Sequence, residues 1–281
     1  MTAALFNIKK DLNKLNMINN LRFELNFKDF DQLEKKLNFC KSKGINNINI
    51  PCKGLIKKQF YNSSIEYIKK NYKNFNVVYH YSLYYQYSKN KENSYLEFLN
   101  FYKNFNSYKN SEILLVSGSI KKKNFDVISV LNDLKNEKDL QNQIGIAYNP
   151  YLNKYFNSPF ERERVEQKLS SGLIKSIWIQ YGTDIKVLER EMNFLHKEDK
   201  NKKLKFYGSL LIPSKQFIAR FKLRPWKGVH IADQYLYSLD KFYSYTKELI
   251  SFYIDHNIKP VIETDFSSSD KLELIYRLFN S

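Results

Sequence analysis

The sequence predicts an α/β fold, a (β/α)8 TIM barrel, on three observations. Short β-branched or aromatic runs alternate with helix-patterned segments eight times along 281 residues. The units recur roughly every 30 residues, with one longer connection before strand eight. No glycine-rich turn follows the first run, since residues 26–31 contain no glycine. The alternation calls for parallel strands joined by crossover helices, and eight such units at this length match a barrel. A doubly wound sheet is the competing architecture, and it would be favoured by a GxGxxG turn after strand one. The expected organisation is a short leader or helix over residues 1–19 and a single barrel domain over 20–281.

Strand one is read over residues 21–27, where Leu21, Phe23, Leu25 and Phe27 alternate with Arg22, Glu24 and Asn26. In a barrel that parity turns Glu24 inward, where an unpaired carboxylate is costly and usually functional. A helix follows over 30–43, with Leu33, Leu37 and Cys40 at helical spacing and Gly44 as its stop. Strand two (45–50) ends at Pro51. Helix 65–72 leads to strand three (75–81), and helix 95–102 to strand four (111–119). Helix 125–135 precedes strand five (144–148), and a charged helix over 160–173 precedes strand six (176–181). Asp184 caps the next helix, strand seven (204–212) stops at Pro213, and a connection containing residues 220–228 follows. Helix 238–256, strand eight (258–264) and helix 271–279 complete the chain.

Composition narrows the function. The chain carries 46 Lys and Arg against 29 Asp and Glu, a net charge of +17. The lysines are scattered along the whole length, with short dense runs at 121–123 and 197–205, so no nucleic-acid stripe is expected. A basic mouth attracting anionic cofactors is a simpler use of that field. No apolar run reaches the roughly 20 residues of a membrane span, and no membrane partner is expected. Residues 1–20 lack the apolar core of a secretory signal. Cytoplasmic placement is expected, with mitochondrial targeting the alternative. Cys40 and Cys52 have no ligand spacing and read as free thiols. Four histidines without an HExxH or His/Cys cluster make a metal centre unexpected.

Barrel chemistry sits at the C-terminal strand ends. There Glu24, His80 and Gln180 interrupt otherwise apolar strands, joined by Asn26, Ser82, Ser117, Ser119, Tyr148, Asn149, Ser209, Glu263 and Thr264. One inward carboxylate acts as a proton donor or acceptor if burial raises its pKa. No obvious second carboxylate pairs with it, so glycosidase-like chemistry is only weakly suggested. No nucleophile elbow is visible.

Several short motifs resemble the methylenetetrahydrofolate reductases. They are Phe23-Glu24, Tyr79-His80, the strand-four run ending in Ser117-Gly118-Ser119, Lys168 with Ser171-Gly172 ahead of Ile179-Gln180, and residues 207–213 ending in Pro213. The resemblance runs in order over about residues 20–280. It implies a flavoprotein of one-carbon metabolism, an FAD-containing barrel passing a hydride from NADH or NADPH through the flavin to a folate. By the resemblance Glu24 is the general acid, and His80, Ser117, Ser119 and Tyr148 lie beside the flavin. Glu161, Arg164 and Lys168 contact the cofactor's ribityl, phosphate and adenosine portions, and Gln180 and Glu263 contact substrate, with Trp178 and Tyr181 stacking nearby.

The sequence also departs from the family. Its strand-four Arg-Gly-Asp is Ser117-Gly118-Ser119 here, its Tyr-Pro-Glu after strand five is Tyr148-Asn149-Pro150, and its final-strand Tyr-Thr is Glu263-Thr264. A non-catalytic barrel of the same family, acting as a ligand-binding or regulatory module, is therefore the alternative. A homo-oligomer is open on either reading. The segment 220–228, with four cations and two aromatics, suits an anionic or planar ligand or else packs as a connection around Trp226.

Overall fold

The computed structural model describes residues 19–53, 58–105, 111–118, 125–137 and 144–280. Eight parallel strands close into a barrel in the order of the sequence: β1 (Arg22–Glu24), β2 (Asn47–Ile50), β3 (Asn76–Ser82), β4 (Ser111–Val116), β5 (Ile144–Tyr148), β6 (Ile174–Ile179), β7 (Lys205–Leu210) and β8 (Ile258–Ile262). The ring closes where β1 pairs with β8, Arg22 against Val261 and Phe23 against Ile262. The helices described are α1 (Phe30–Ser42), α2 (Lys58–Asn71), α3 (Lys91–Phe105), α4 (Val127–Leu134), α5 (Leu152–Phe156), α6 (Glu161–Leu169), α7 (Ile185–Glu198), α8 (Lys215–Leu223), α9 (Asp233–Tyr237), α10 (Leu239–Asp255) and α11 (Ser269–Asn280). The expected leader at 1–19 lies, but for its last residue, outside the described residues.

Local chemistry starts the helices. Asp29 accepts from Gln32 N ahead of α1, and Asp126 and Ser129 form a reciprocal capping box on α4. Asp184, Ser214 and Ser238 cap α7, α8 and α10 through Val187 N, Phe217 N and Lys241 N. The regular strands are shorter than their apolar patterns: β1 ends at Glu24, yet Leu25 N still donates to Asn49 O at 2.9 Å, and Leu25 and Phe27 are in the core.

Two helices were not expected from the sequence. Residues 152–156 form α5, a separate turn of helix ahead of α6; it is too short to carry a periodic signal. The connection after β7 is helical through Leu223, because Ser214 caps a segment whose Phe217 and Phe221 are one turn apart.

The chain packs as two compact units. One comprises Glu24–Ala147 and Arg162–Ile177; the other comprises residues through Phe23, Tyr148–Glu161 and Trp178–Ser281. In the first, Leu33, Leu37 and Cys40 of α1 and Tyr61, Ile65 and Ile68 of α2 are buried, and Tyr81 packs on Phe98 with ring centroids 4.9 Å apart. Glu112 is buried there too and accepts a hydrogen bond from Ser176. In the second, Phe23 packs on Phe266 at 4.5 Å, and Trp178 stacks on Tyr207 at 4.1 Å and 13°. Both cysteines are free and buried, and burial pushes the Cys40 thiol up to about 12.

Candidate functional site

Glu24 stands at the C-terminal end of β1 with only 5% of its surface exposed. Lys53, three residues past β2, reaches it: Nζ donates to Glu24 Oε1 at 2.6 Å and to Asn26 Oδ1 at 2.8 Å. Asn26 Nδ2 donates to the same Oε1 at 3.3 Å, closing a triangle of carboxylate, ammonium and amide. Beside it, Asn49 Nδ2 of β2 lies 3.4 Å from His80 Nε2 of β3. The backbone under this group is fastened by Tyr61, whose hydroxyl donates to His80 O at 2.5 Å and lies 3.3 Å from Ile50 O. All of these side chains belong to the first unit.

Two effects oppose each other at Glu24. Burial pushes its pKa up, but the Lys53 and His80 charges and the hydrogen bonds from Lys53 and Asn26 outweigh burial and hold it below the usual 4.5. Glu24 is therefore an ionised, buried acceptor at neutral pH, and the expected elevation that would make it a ready proton donor is not realised. Both bonds converge on Oε1. A carboxylate has about four acceptor positions, so Oε2 is open to a ligand's N–H or O–H.

The residues that the resemblance assigns to FAD have other contacts. Ser117 Oγ accepts from Val127 N at 3.4 Å, at the start of α4. Gly118 has φ +90°, and a Cβ there would lie 2.6 Å from Tyr84 Cβ, so the position is fixed by close passage of the chain. Ser119 lies outside the described residues. Tyr148 donates to Glu191 Oε2 at 2.6 Å inside the second unit, and Arg190 holds the other oxygen of Glu191 at 3.0 Å. Lys168 is 5% exposed and donates to Ala147 O at 3.3 Å. Arg164 faces Asp126 at 4.0 Å. Glu161 begins α6, half-buried, in the other unit from Arg164 and Lys168. A pyrophosphate needs exposed, convergent cations, and this set does not fit one.

The remaining site residues lie in the second unit. Gln180 is half-buried, with its backbone N donating to Tyr148 O at 2.9 Å. Glu263, just past β8, accepts from Ser209, whose own carbonyl is held by Tyr253 at 2.9 Å. Trp178 and Tyr181, expected to stack on a ligand, are buried among protein groups.

Sequence reasoning overlooked Lys53 and Asn49 and gave Asn26 no role. Asn49 carries no mark of its own, because Asn46 and Asn47 stand in the same short run. A lysine two residues past the strand-ending Pro51, at the end where barrels place their chemistry, marks Lys53.

No family model matches the chain, and no curated protein matches it by sequence. Among solved structures, it is similar to an uncharacterized protein from Clostridium thermocellum that binds two copies of 5-methyl-5,6,7,8-tetrahydrofolic acid. That match has a TM-score of 0.61 and 15% identity over 95% of this chain and 97% of that one. It is also similar to the catalytic domain of a hyperthermophilic chitinase from Pyrococcus furiosus, with a TM-score of 0.51 and 10% identity over 88% and 84% of the two chains. These likenesses show the barrel fold.

Proposed function

We propose that the barrel binds a reduced folate, or a related pterin, with the ring edge against Glu24. The observation carrying this reading is a buried, ionised carboxylate whose Oε1 is engaged by Lys53 and Asn26 while Oε2 is open. A pterin presents its ring N–H and 2-amino group side by side, and this donor edge meets the open Oε2 with a charge-assisted bond. Its neighbouring carbonyl oxygen suits an ammonium such as Lys53. The ligand of the Clostridium thermocellum neighbour and the reductase resemblance support the same ligand class.

Hydride transfer from NADH or NADPH through FAD to that folate is the finer form of the reading, and it rests on the resemblance. The engaged states of Ser117, Tyr148 and Lys168 argue against it, so no step is derived through the flavin. They favour the ligand-binding or regulatory form of the proposal.

The test is calorimetric titration of the purified chain with 5-methyltetrahydrofolate, alongside Glu24→Gln. The wild-type chain binds, and the variant binds about 10- to 100-fold more weakly, the value of one hydrogen bond to a charged group. Absence of wild-type binding overturns the reading, and equal affinities remove Glu24 from it. Protein that takes up FAD and turns yellow, then oxidises NADPH in the presence of the folate's methylene form, replaces the binding reading with the catalytic one.

A further inference from the structure

A second surface is built by α8, the turn that follows it, and α9, all within one unit. From Lys200 to Ala232 the sequence contains no acid, and between positions 215 and 227 it carries Lys215, Arg220, Lys222, Arg224 and Lys227. Each of these five cations is exposed. On the same elements large apolar side chains face solvent: Leu223 is 88% exposed, Tyr237 78% and Trp226 43%. α9 brings one exposed acid, Asp233, to this face. Scattered exposed leucines are ordinary, but three large apolar side chains beside five exposed cations are not.

The tip is held rigidly. Trp226 rests edge-on against Phe217 at 5.4 Å and Phe221 at 6.2 Å, which leaves its outer part outward. Lys222 Nζ sits 3.9 Å from the centre of the Tyr237 ring, tying the end of α8 to α9. Val229 N donates to Trp226 O at 3.1 Å to close the turn, and Asn149 Nδ2 donates to Gly228 O at 2.8 Å to anchor it. Gly228 takes φ +80°, which a side chain would resist.

We propose that this face docks on an anionic lipid surface, with Leu223, Trp226 and Tyr237 entering the headgroup layer and the surrounding cations meeting lipid phosphates and carboxylates. Charge complementarity selects the sign of the partner. Leu223 selects its class: a bare aliphatic side chain gains nothing from a nucleic-acid backbone but partitions into a lipid interface, where Trp and Tyr also prefer to lie. The contact is peripheral, since no helix among the described residues is long and apolar enough to cross a membrane. It is independent of the Glu24 reading and uses none of its residues.

The experiment is flotation of the full chain with vesicles of phosphatidylcholine alone and with about one third phosphatidylserine, the anionic lipid of such surfaces. The chain floats with the anionic vesicles only. Charge reversals Arg220→Glu and Arg224→Glu each weaken binding about fivefold or more, the contribution of one cation at such a surface. Leu223→Ser, at a position too exposed to disturb folding, weakens vesicle binding while leaving retention on a DNA duplex unchanged. Trp226 fluorescence shifts to the blue on anionic vesicles. Failure to float, or vesicle binding indifferent to Leu223→Ser, overturns the proposal. So does a dimer in solution that Leu223→Ser dissolves, which would give the face to a second copy of the chain.

Discussion

Two carboxylate–lysine pairs in this protein look alike in composition and differ in what they leave open. Asp184 accepts from Val187 N through Oδ1 at 3.1 Å, and from Lys154 at 2.8 Å and Tyr155 at 2.5 Å through Oδ2. Both oxygens are engaged, Tyr155 is stacked on His230 at 3.4 Å, and the group fastens α5 to the start of α7. Glu24 receives Lys53 and Asn26 on a single oxygen, caps no helix, and is more buried than Asp184. An ionised carboxylate with filled acceptor positions is a structural cap. One with a bare oxygen at a barrel strand end is free of that structural duty and is the group to which the proposal assigns a ligand.

The largest expected contrast is in binding. Glu24→Gln weakens folate binding about 10- to 100-fold, whereas Asp184→Asn leaves the affinity within about twofold by the same titration. Equal losses would break the distinction between the two pairs.

Stability inverts the order. Asp184→Ala removes a helix cap and two side-chain partners and costs about 1–2 kcal/mol in urea denaturation. Glu24→Gln changes stability by less than about 1 kcal/mol, since the neutral amide avoids the desolvation of a charge and Lys53, half-exposed, turns to water.

The pH dependence separates them further. Asp184 is lowered from 3.8 to about 2: burial raises it, but the bonds from Lys154, Tyr155 and Val187 N prevail. A depressed folded-state pKa gives stability that is fully present above the unfolded value and lost as pH falls through the folded one. The Asp184 contribution therefore fades between about pH 4 and 2, and Asp184→Ala flattens the acid limb of the denaturation curve in that window. For Glu24 the readout is affinity, which holds down through pH 4.5 because the carboxylate stays ionised, and falls below it.

The smallest effect is the most local. Lys53→Met removes the nearest positive charge and a hydrogen bond that both lower the Glu24 pKa, so that pKa rises and the fall in affinity moves toward neutral pH. An unchanged pH profile would show that Lys53 does not set the charge state of Glu24.

Much of this molecule was legible along the chain. Eight β/α units, the Asp184 cap, and a polar Glu24 on an apolar strand depend on periodicity and on contacts within a few residues. So does the Asp cap in Gly182-Thr183-Asp184, which reads as an ordinary strand–helix turn and is one. The partners of the polar residues were not legible, because they come from sequence-distant strand ends brought together by register: Lys53 lies 29 residues from Glu24, and Ser209 lies 54 from Glu263. The sequence by itself determined that the chain forms a barrel and that Glu24 is buried in it. Only the tertiary structure decided that Lys53 keeps Glu24 ionised and that Lys168 turns to a backbone carbonyl. The physical reason is that the charge state and availability of a buried group depend on which distant partner fills its hydrogen-bonding positions.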